Sequence, residues 1–403
     1  MEFGPIWRAS MRNKTGALLV VLQVALTMTL IVNAVAIAER QINQMTIVSG
    51  LDEENIFHVR SSGFAEDLNA RATVEEDLRT IRGMPGVAYA TQINAVPISQ
   101  SGMSMGLKTE PGAGVENLPM AVYMVDEHGL DSLGVRLIAG EGFNSNEIEW
   151  GDGATRGWPS RTILSRPLAE ALFPGDPGYG VGKVVYINDT EPMTVAGVVE
   201  RLTAPWPGWV NTERSILVPR QNEIADVIYL VRAEAGRLDS LIPEVESALV
   251  EREPGRIVSN LLTMEQTRDR SFDDNQALVN ILGFTVAVLV AITTLGVSGL
   301  TSFNITRRYK QIGTRRALGA TRPQIMRYFL AENLLFTGVG VVLGLGLAVA
   351  TNAWLVESFS VPRFSWTWTP VTMILLVVIS QLAVLFPSRR AANVPPAVAT
   401  RTV

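Results

Sequence analysis

The 403-residue chain is 47% hydrophobic and 18% charged, with a mean hydropathy of +0.21, which points to a membrane protein with a large soluble part and away from a disordered chain. Residues 40–275 hold 20 basic against 35 acidic side chains, a net of −15 and the wrong sign for a nucleic-acid surface. The lack of cysteine excludes a disulfide framework and any thiolate metal site.

Residues 1–15 carry Arg8, Arg12 and Lys14 and read as a cytoplasmic N-terminal segment. An apolar run follows over 16–38; a hydrocarbon core roughly 30 Å thick takes about 20 such residues to cross. The apolar run is 23 residues long, longer than a signal-peptide core, so a retained helix is expected in preference to a cleaved signal peptide.

Residues 39–275 form one soluble insert with an α+β pattern. Alternation predicts strands over 55–60 and 87–98. The spacing of Leu68, Val74, Leu78 and Ile81 predicts a helix over 65–82, broken at Met84-Pro85-Gly86. The Gly-rich stretch 99–114 reads as a connection. Short strands are then expected over 121–125, 162–164, 184–187, 193–199 and 215–218, with one helix at 167–173. A strand over 224–232 and a helix over 238–251, with Leu241, Val245, Ala248 and Leu249 on one face, complete the insert. The simplest arrangement is an outer lobe from about 52–100 and 221–262, with a β-rich lobe of about 106–220 inserted. The polar flanks 39–51 and 263–275 would extend the adjacent spans as a stalk. The fold class expected is an α-helical membrane protein with four transmembrane helices and a two-lobed α+β extracytoplasmic domain between helices 1 and 2.

Apolar spans are predicted over 276–303, 328–355 and 366–386. Between the first two of these, the loop 304–327 carries Arg307, Arg308, Lys310, Arg315, Arg316, Arg322 and Arg327, and from 307 to 327 there is no acid. Short loops rich in Lys and Arg lie on the cytoplasmic side. The tail 387–403, with Arg389, Arg390 and Arg401, joins them there, and the acidic insert lies outside. Within the loop, 309–318 has helix-compatible composition, Gly319 suits a left-handed C-terminal cap, and Thr321 with Pro323 suits the start of the next helix. This short helix is expected to expose Ile312, Arg315, Arg316 and Leu318 in some combination. The same cations set membrane orientation and attract anionic lipid, at about 1 kcal/mol each.

In the third span, Gly340 and Gly344 form a G-x-x-x-G pair that lets a helix approach closely, from the same chain or from a second copy. Glu332 lies near the basic end of that span, placed to pair with Arg327 or to reach the interface. The other spans offer mainly Asn33 and Asn280 at depth, so a bond between helices is expected in preference to a proton path. His58 and His128 are seventy residues apart and make no zinc pattern, and no G-x-S-x-G elbow occurs, so neither a metal nor a catalytic residue is expected. His128, beside Asp126 and Glu127, reads as part of a solvated turn. Pro205-Trp-Pro-Gly-Trp-Val210 is a Pro-rich aromatic loop suited to partner contact, core packing or a hinge.

Three segments carry a resemblance. Arg166-Pro-Leu-Ala-Glu-Ala-Leu-Phe-Pro174, Gly180-Val-Gly-Lys-Val-Val-Tyr-Ile-Asn188 and Met193-Thr-Val-Ala-Gly-Val-Val199 resemble, in that order, the periplasmic core domain of MacB-type ABC transporter permeases. The segment 307–321 resembles the FtsX-like intracellular loop, and Pro387-Ser-Arg-Arg-Ala-Ala-Asn-Val-Pro-Pro396 the family's C-terminal tail. The resemblance implies a permease subunit of the mechanotransmission class, in the bacterial inner membrane, without chemistry of its own. It implies that Tyr309, Gln311, Ile312, Gly313, Arg315, Arg316, Ala317, Leu318 and Gly319 belong to a coupling helix seated on an ATPase. A P-loop needs G-x-x-x-x-G-K-[ST]. The nearest approach, Gly182-Lys183, has Pro177 and Val184 at two required positions. ATP and magnesium are therefore expected on a separate ATPase subunit, with no cofactor on this chain. The other partners implied are a second permease copy or paralogue, membrane lipid, and an adaptor with an outer-membrane channel. A regulator of cell-wall hydrolases and a lipoprotein-extraction permease share the same layout. The cargo is not legible.

Overall fold

The computed structural model describes residues 14–64, 69–112, 114–151, 157–188, 190–253, 255–359 and 366–393. Most of the expected N-terminal segment, the end of the tail and the start of the 65–82 helix lie outside the described residues.

In chain order, α1 (Lys14–Met45) is followed by β1 (Ile56–Ser62), α2 (Ala70–Arg82), β2 (Val87–Ile93), β3 (Met103–Lys108), β4 (Leu118–Val125), α3 (Gly129–Leu133), β5 (Leu137–Gly140), β6 (Glu149–Gly151) and β7 (Arg161–Ser165). There follow α4 (Arg166–Leu172), β8 (Val184–Ile187), β9 (Glu191–Val199), β10 (Ser215–Asn222), β11 (Asp226–Ala233), α5 (Leu238–Arg252) and β12 (Ile257–Thr263). The chain then runs through α6 (Met264–Arg307), α7 (Tyr309–Ala317), α8 (Arg322–Phe359) and α9 (Thr369–Ala392). The 99–114 connection thus contains a strand, β3. Its Leu107 is fully buried, although Ser and Gly mask the alternation. Strands β5, β6 and β12 and helix α3 escape the sequence reading because they are short or lack strict alternation.

Two compact units result. One consists of residues 44–274 and the other of residues 1–43 with 275–403.

In the first unit, β12-β1-β11-β2 make an antiparallel four-stranded sheet. On one face, Phe57, Val59, Tyr229 and Val231 meet Val74, Leu78 and Ile81 of α2 and Leu241, Val245 and Leu249 of α5. Helix α2 starts where the Asn69 side chain accepts the Ala72 N–H, relieving one of the unpaired donors of the first turn. Asp77 on α2 and Arg256 are both fully buried and paired at 2.8 Å, and the Tyr229 hydroxyl donates to Asp77 at 2.7 Å. This satisfies charges that would otherwise be costly in a core.

The second sheet runs β4-β3-β8-β9-β7-β10-β6, and β10 also pairs with β4, so six strands close into a ring. Closure buries both faces of the closing strands. On β4, Met120, Val122 and Met124 line the core inside the ring, while Ala121, Tyr123 and Val125 line the core outside it. That outer core also takes in Ile56, Ile93 and Leu230 of the four-stranded sheet. At one edge of it, buried Asp126 accepts hydrogen bonds from Arg82, from Thr91 at 2.8 Å and from Gln221 at 3.1 Å. The turn that holds His128 therefore has Asp126 buried beneath it; only His128 and Glu127 keep partial exposure.

Among the described residues, four helices are long and apolar enough to cross a membrane: Thr15–Met45, Met264–Arg307, Arg322–Ser358 and Thr369–Ala392. On α1, Val20, Val24, Met28 and Ile31 face the helix bundle, while Leu18, Leu22, Leu26 and Leu30 point outward and are exposed. A helix apolar on all sides is what a bilayer selects. Polar side chains bond across the bundle: Thr27 with Thr293 at 2.8 Å, Thr29 with the Gly344 carbonyl at 3.1 Å, and Asn333 with the Ser380 carbonyl at 3.2 Å.

Candidate functional site

The basic loop folds as α7, a helix of 9 residues between α6 and α8. Gly319 follows it at φ +97°, a left-handed conformation that admits a glycine at little cost, and the Ala320 and Gly319 N–H groups close the helix end on Arg315 and Arg316 carbonyls. Beyond it, Thr321 N–H donates to the Gln324 side chain at 2.8 Å as α8 begins.

Four contacts fasten α7 to the bundle. Arg308, just before its first turn, donates through Nη1 to both Glu332 oxygens on α8, at 3.0 and 3.1 Å. Ile312 is 4% exposed and packs in the bundle core with Ile305, Ile325 and Phe329. Arg315 lies over the Tyr328 ring, 5.1 Å from its centroid. Arg316 donates to the Ala392 carbonyl at the end of α9, capping that helix's negative pole.

Two sequence expectations are corrected here. Ile312 faces inward, because Arg308, Ile312 and Arg316 fall four residues apart on one helical stripe and the apolar middle of that stripe is drawn into the core. Glu332 pairs with Arg308 instead of Arg327, because α7 folds back over α8 and delivers the guanidinium to it. The i, i+4 stripe was the signal available in the sequence for the first correction. The second joins two helices and had none.

The opposite side of α7 is open. Tyr309, Lys310, Gln311, Thr314, Ala317 and Gly319 are exposed, and Leu318 is 83% exposed. Gly313 is buried beside Ile312. The site is therefore two-sided: an anchored face of arginines and isoleucine, and a free face that is mixed apolar, polar and cationic.

Gly340 and Gly344 lie against α1 of the same chain. A Cβ on Gly340 would sit 2.8 Å from Val24 Cβ, and one on Gly344 would sit 2.6 Å from both the Ala25 carbonyl oxygen and Met28 Cβ. Lys183, the nearest approach to a P-loop lysine, is paired with Asp176 at 2.6 Å and lies over the Phe173 ring. His58 is buried, bonds Thr267 Oγ1 at 2.8 Å, and is held by burial and by the nearby Arg270 charge at a pKa of about 4. Trp206 and Trp209 meet edge to face at 5.8 Å against the core outside the ring.

Residues 283–396 match the FtsX-like permease C-terminal family. The macrolide export ATP-binding/permease protein MacB of Azoarcus is 27% identical over 289 residues, covering 63% of this chain and 42% of that protein. The ABC transporter permease YknZ of Bacillus subtilis is 21% identical over 379 residues, covering 90% of this chain and 88% of that one. Among solved structures, the extracellular domain of YknZ aligns over 51% of this chain and all of that domain at 19% identity, with a TM-score of 0.33. The chain spans about two fifths of the MacB relative's length and most of YknZ's. Among the described residues, helices long and apolar enough to cross a membrane accompany this C-terminal match. The C-terminal part of the chain thus resembles FtsX-like permeases, and over longer stretches the chain is similar to the MacB and YknZ permeases.

Proposed function

We propose that the chain is the permease subunit of a MacB-like, mechanotransmission ABC transporter, and that a separate ATPase subunit, carrying the ATP and magnesium, seats on the free face of α7. The observation that carries this reading is the two-sidedness of α7: one face is fastened to α8 and α9, so a push on the other is delivered to the bundle. The acid-free basic loop supports a cytoplasmic place for α7 and both termini, with residues 44–274 outside the cell. Helix α6 supports an outward lever, since it runs without a break from the end of β12 to Arg307, about 66 Å at 1.5 Å per residue. Two permease copies, or a copy and a paralogue, would present two such loops to a pair of ATPase subunits and drive export, with an adaptor and outer channel as further partners.

Replacement of Lys310 and Leu318 by Glu tests the free face directly, because neither side chain is among the anchors. Co-purification with a candidate ATPase should fall at least tenfold, with ATP turnover no longer responding to the permease. Unchanged association and turnover would overturn the assignment. Substrate accumulation in cells with and without the chain separates export from control of a cell-wall hydrolase, which would leave efflux untouched.

A further inference from the structure

A polar cleft lies within residues 44–274 and has no part in the function proposed above. Its volume is about 620 Å³, the size of a small-ligand site. One side is a stripe of α2, where Arg71, Glu75, Arg79 and Arg82 recur every three or four residues. The rest of the lining includes Ile148 and Trp150 at β6, Gln221 of β10, and Asp126 and Glu127 just after β4.

Two contacts hold the sides of the cleft together, so its shape is formed before any ligand arrives. At one end the Arg71 guanidinium lies 4.9 Å from the centroid of the Trp150 ring. At the other, Arg82 donates to Asp126, which is 2% exposed and is fixed in turn by Thr91 and Gln221. Arg71 and Arg82 are eleven residues apart on α2, about 16 Å along its axis at 1.5 Å per residue. Arg79 sits between them.

The charges of the cleft are only partly matched. Three arginines and three acids line it. Arg71 is paired with Glu75 at 3.0 Å, and Arg82 with Asp126. Arg79 makes no ion pair among the described residues. Glu127 has there only the His128 ring, at 3.9 Å, which is charged only when protonated. One open charge of each sign therefore remains. Residues 40–275 carry a net of −15, which disfavours a simple anion, and Arg79 disfavours a simple cation. A ligand with both charges meets neither penalty. Ile148 and Trp150 are half-buried and offer it an apolar surface.

We infer that the cleft binds a small zwitterion with an apolar side group, the chemistry of a free amino acid or a short peptide. Arg79 takes the carboxylate, Glu127 takes the ammonium group, and the surface at Ile148 and Trp150 takes the apolar group. The inference rests on residues 44–274 alone and involves neither α7 nor an ATPase.

Calorimetric titration of the full-length protein in nanodiscs with alanylphenylalanine tests it, beside the N-acetyl and the C-terminal amide forms of the same dipeptide. Saturable binding of the free dipeptide is expected, with either blocked form about tenfold weaker, the loss of one charge-assisted hydrogen bond. Arg79→Gln should erase the preference for carboxylate over amide and keep that for amine over acetyl; Glu127→Gln should do the reverse. A variant that merely misfolds loses both preferences together, and the unaltered protein with the blocked forms still decides the matter. Lack of saturation by the dipeptide overturns the inference, as does equal binding of a free and a blocked form. A preference that survives the matching substitution places the ligand elsewhere and overturns it too.

Discussion

At the scale of single residues, the Arg308–Glu332 pair and His58 show how burial changes what a charge does. Both members of the pair are largely buried where α7 meets α8. Removing one of them strands the other, which in a buried setting costs roughly 3 kcal/mol, whereas removing both is far milder. Arg308→Met should therefore lower the thermal midpoint of the detergent-solubilised protein clearly, and Arg308→Met with Glu332→Met should recover most of the loss; additive losses would count against the pair. His58 binds a proton less readily folded than unfolded, its pKa falling from 6.5 to about 4 through burial and the Arg270 charge. The unfolded chain then takes up the proton first as pH drops. Stability from this group is complete above pH 6.5 and is lost progressively down to about pH 4, by about 3 kcal/mol. His58→Gln should flatten that part of a stability-against-pH profile.

At the scale of elements, the glycines of α8 separate into two kinds. Gly340 and Gly344 let α1 approach within contact of the α8 backbone, while a methyl placed on Gly338 or Gly346 would have nothing within 4 Å. Gly344→Leu should push α1 away and cost about 1–3 kcal/mol. Gly346→Ala should be neutral or stabilise by up to about 1 kcal/mol through lower backbone entropy in the unfolded chain. Thermal unfolding of the two variants side by side checks the contrast. The G-x-x-x-G spacing marks Gly340 and Gly344 in the sequence, and the packing decides that the helix they admit is α1 of the same chain. The same holds for α7: its limits were legible from Gly319 and the composition, because caps and propensity are local, while its orientation about its own axis waited on the core that received Ile312.

At the scale of the full chain, residues 44–274 are held by a core that belongs to both sheets, with Ile56, Ile93 and Leu230 on one side and Ala121, Tyr123 and Leu217 on the other. Asp126 ties the same sheets through Arg82, Thr91 and Gln221. Elements that share a core open together. Amides of β1 and β11 should exchange hydrogen with the same opening free energy as those of β4 and β10. Two well-separated exchange classes, one for each sheet, would show that the sheets fold independently.

Four apolar helices, the acidic insert, the acid-free basic loop and most strands of the insert are written in the linear order of residues, since length, hydropathy, charge and alternation are properties of neighbours along the chain. It took the folded chain to settle that β10 closes a ring onto β4, that Glu332 answers Arg308, and that three of the loop's arginines face the bundle while Leu318 faces outward. Each of these depends on residues brought together from distant parts of the chain. Burial and ion pairing are energies of the assembled neighbourhood, which periodicity along one segment does not encode.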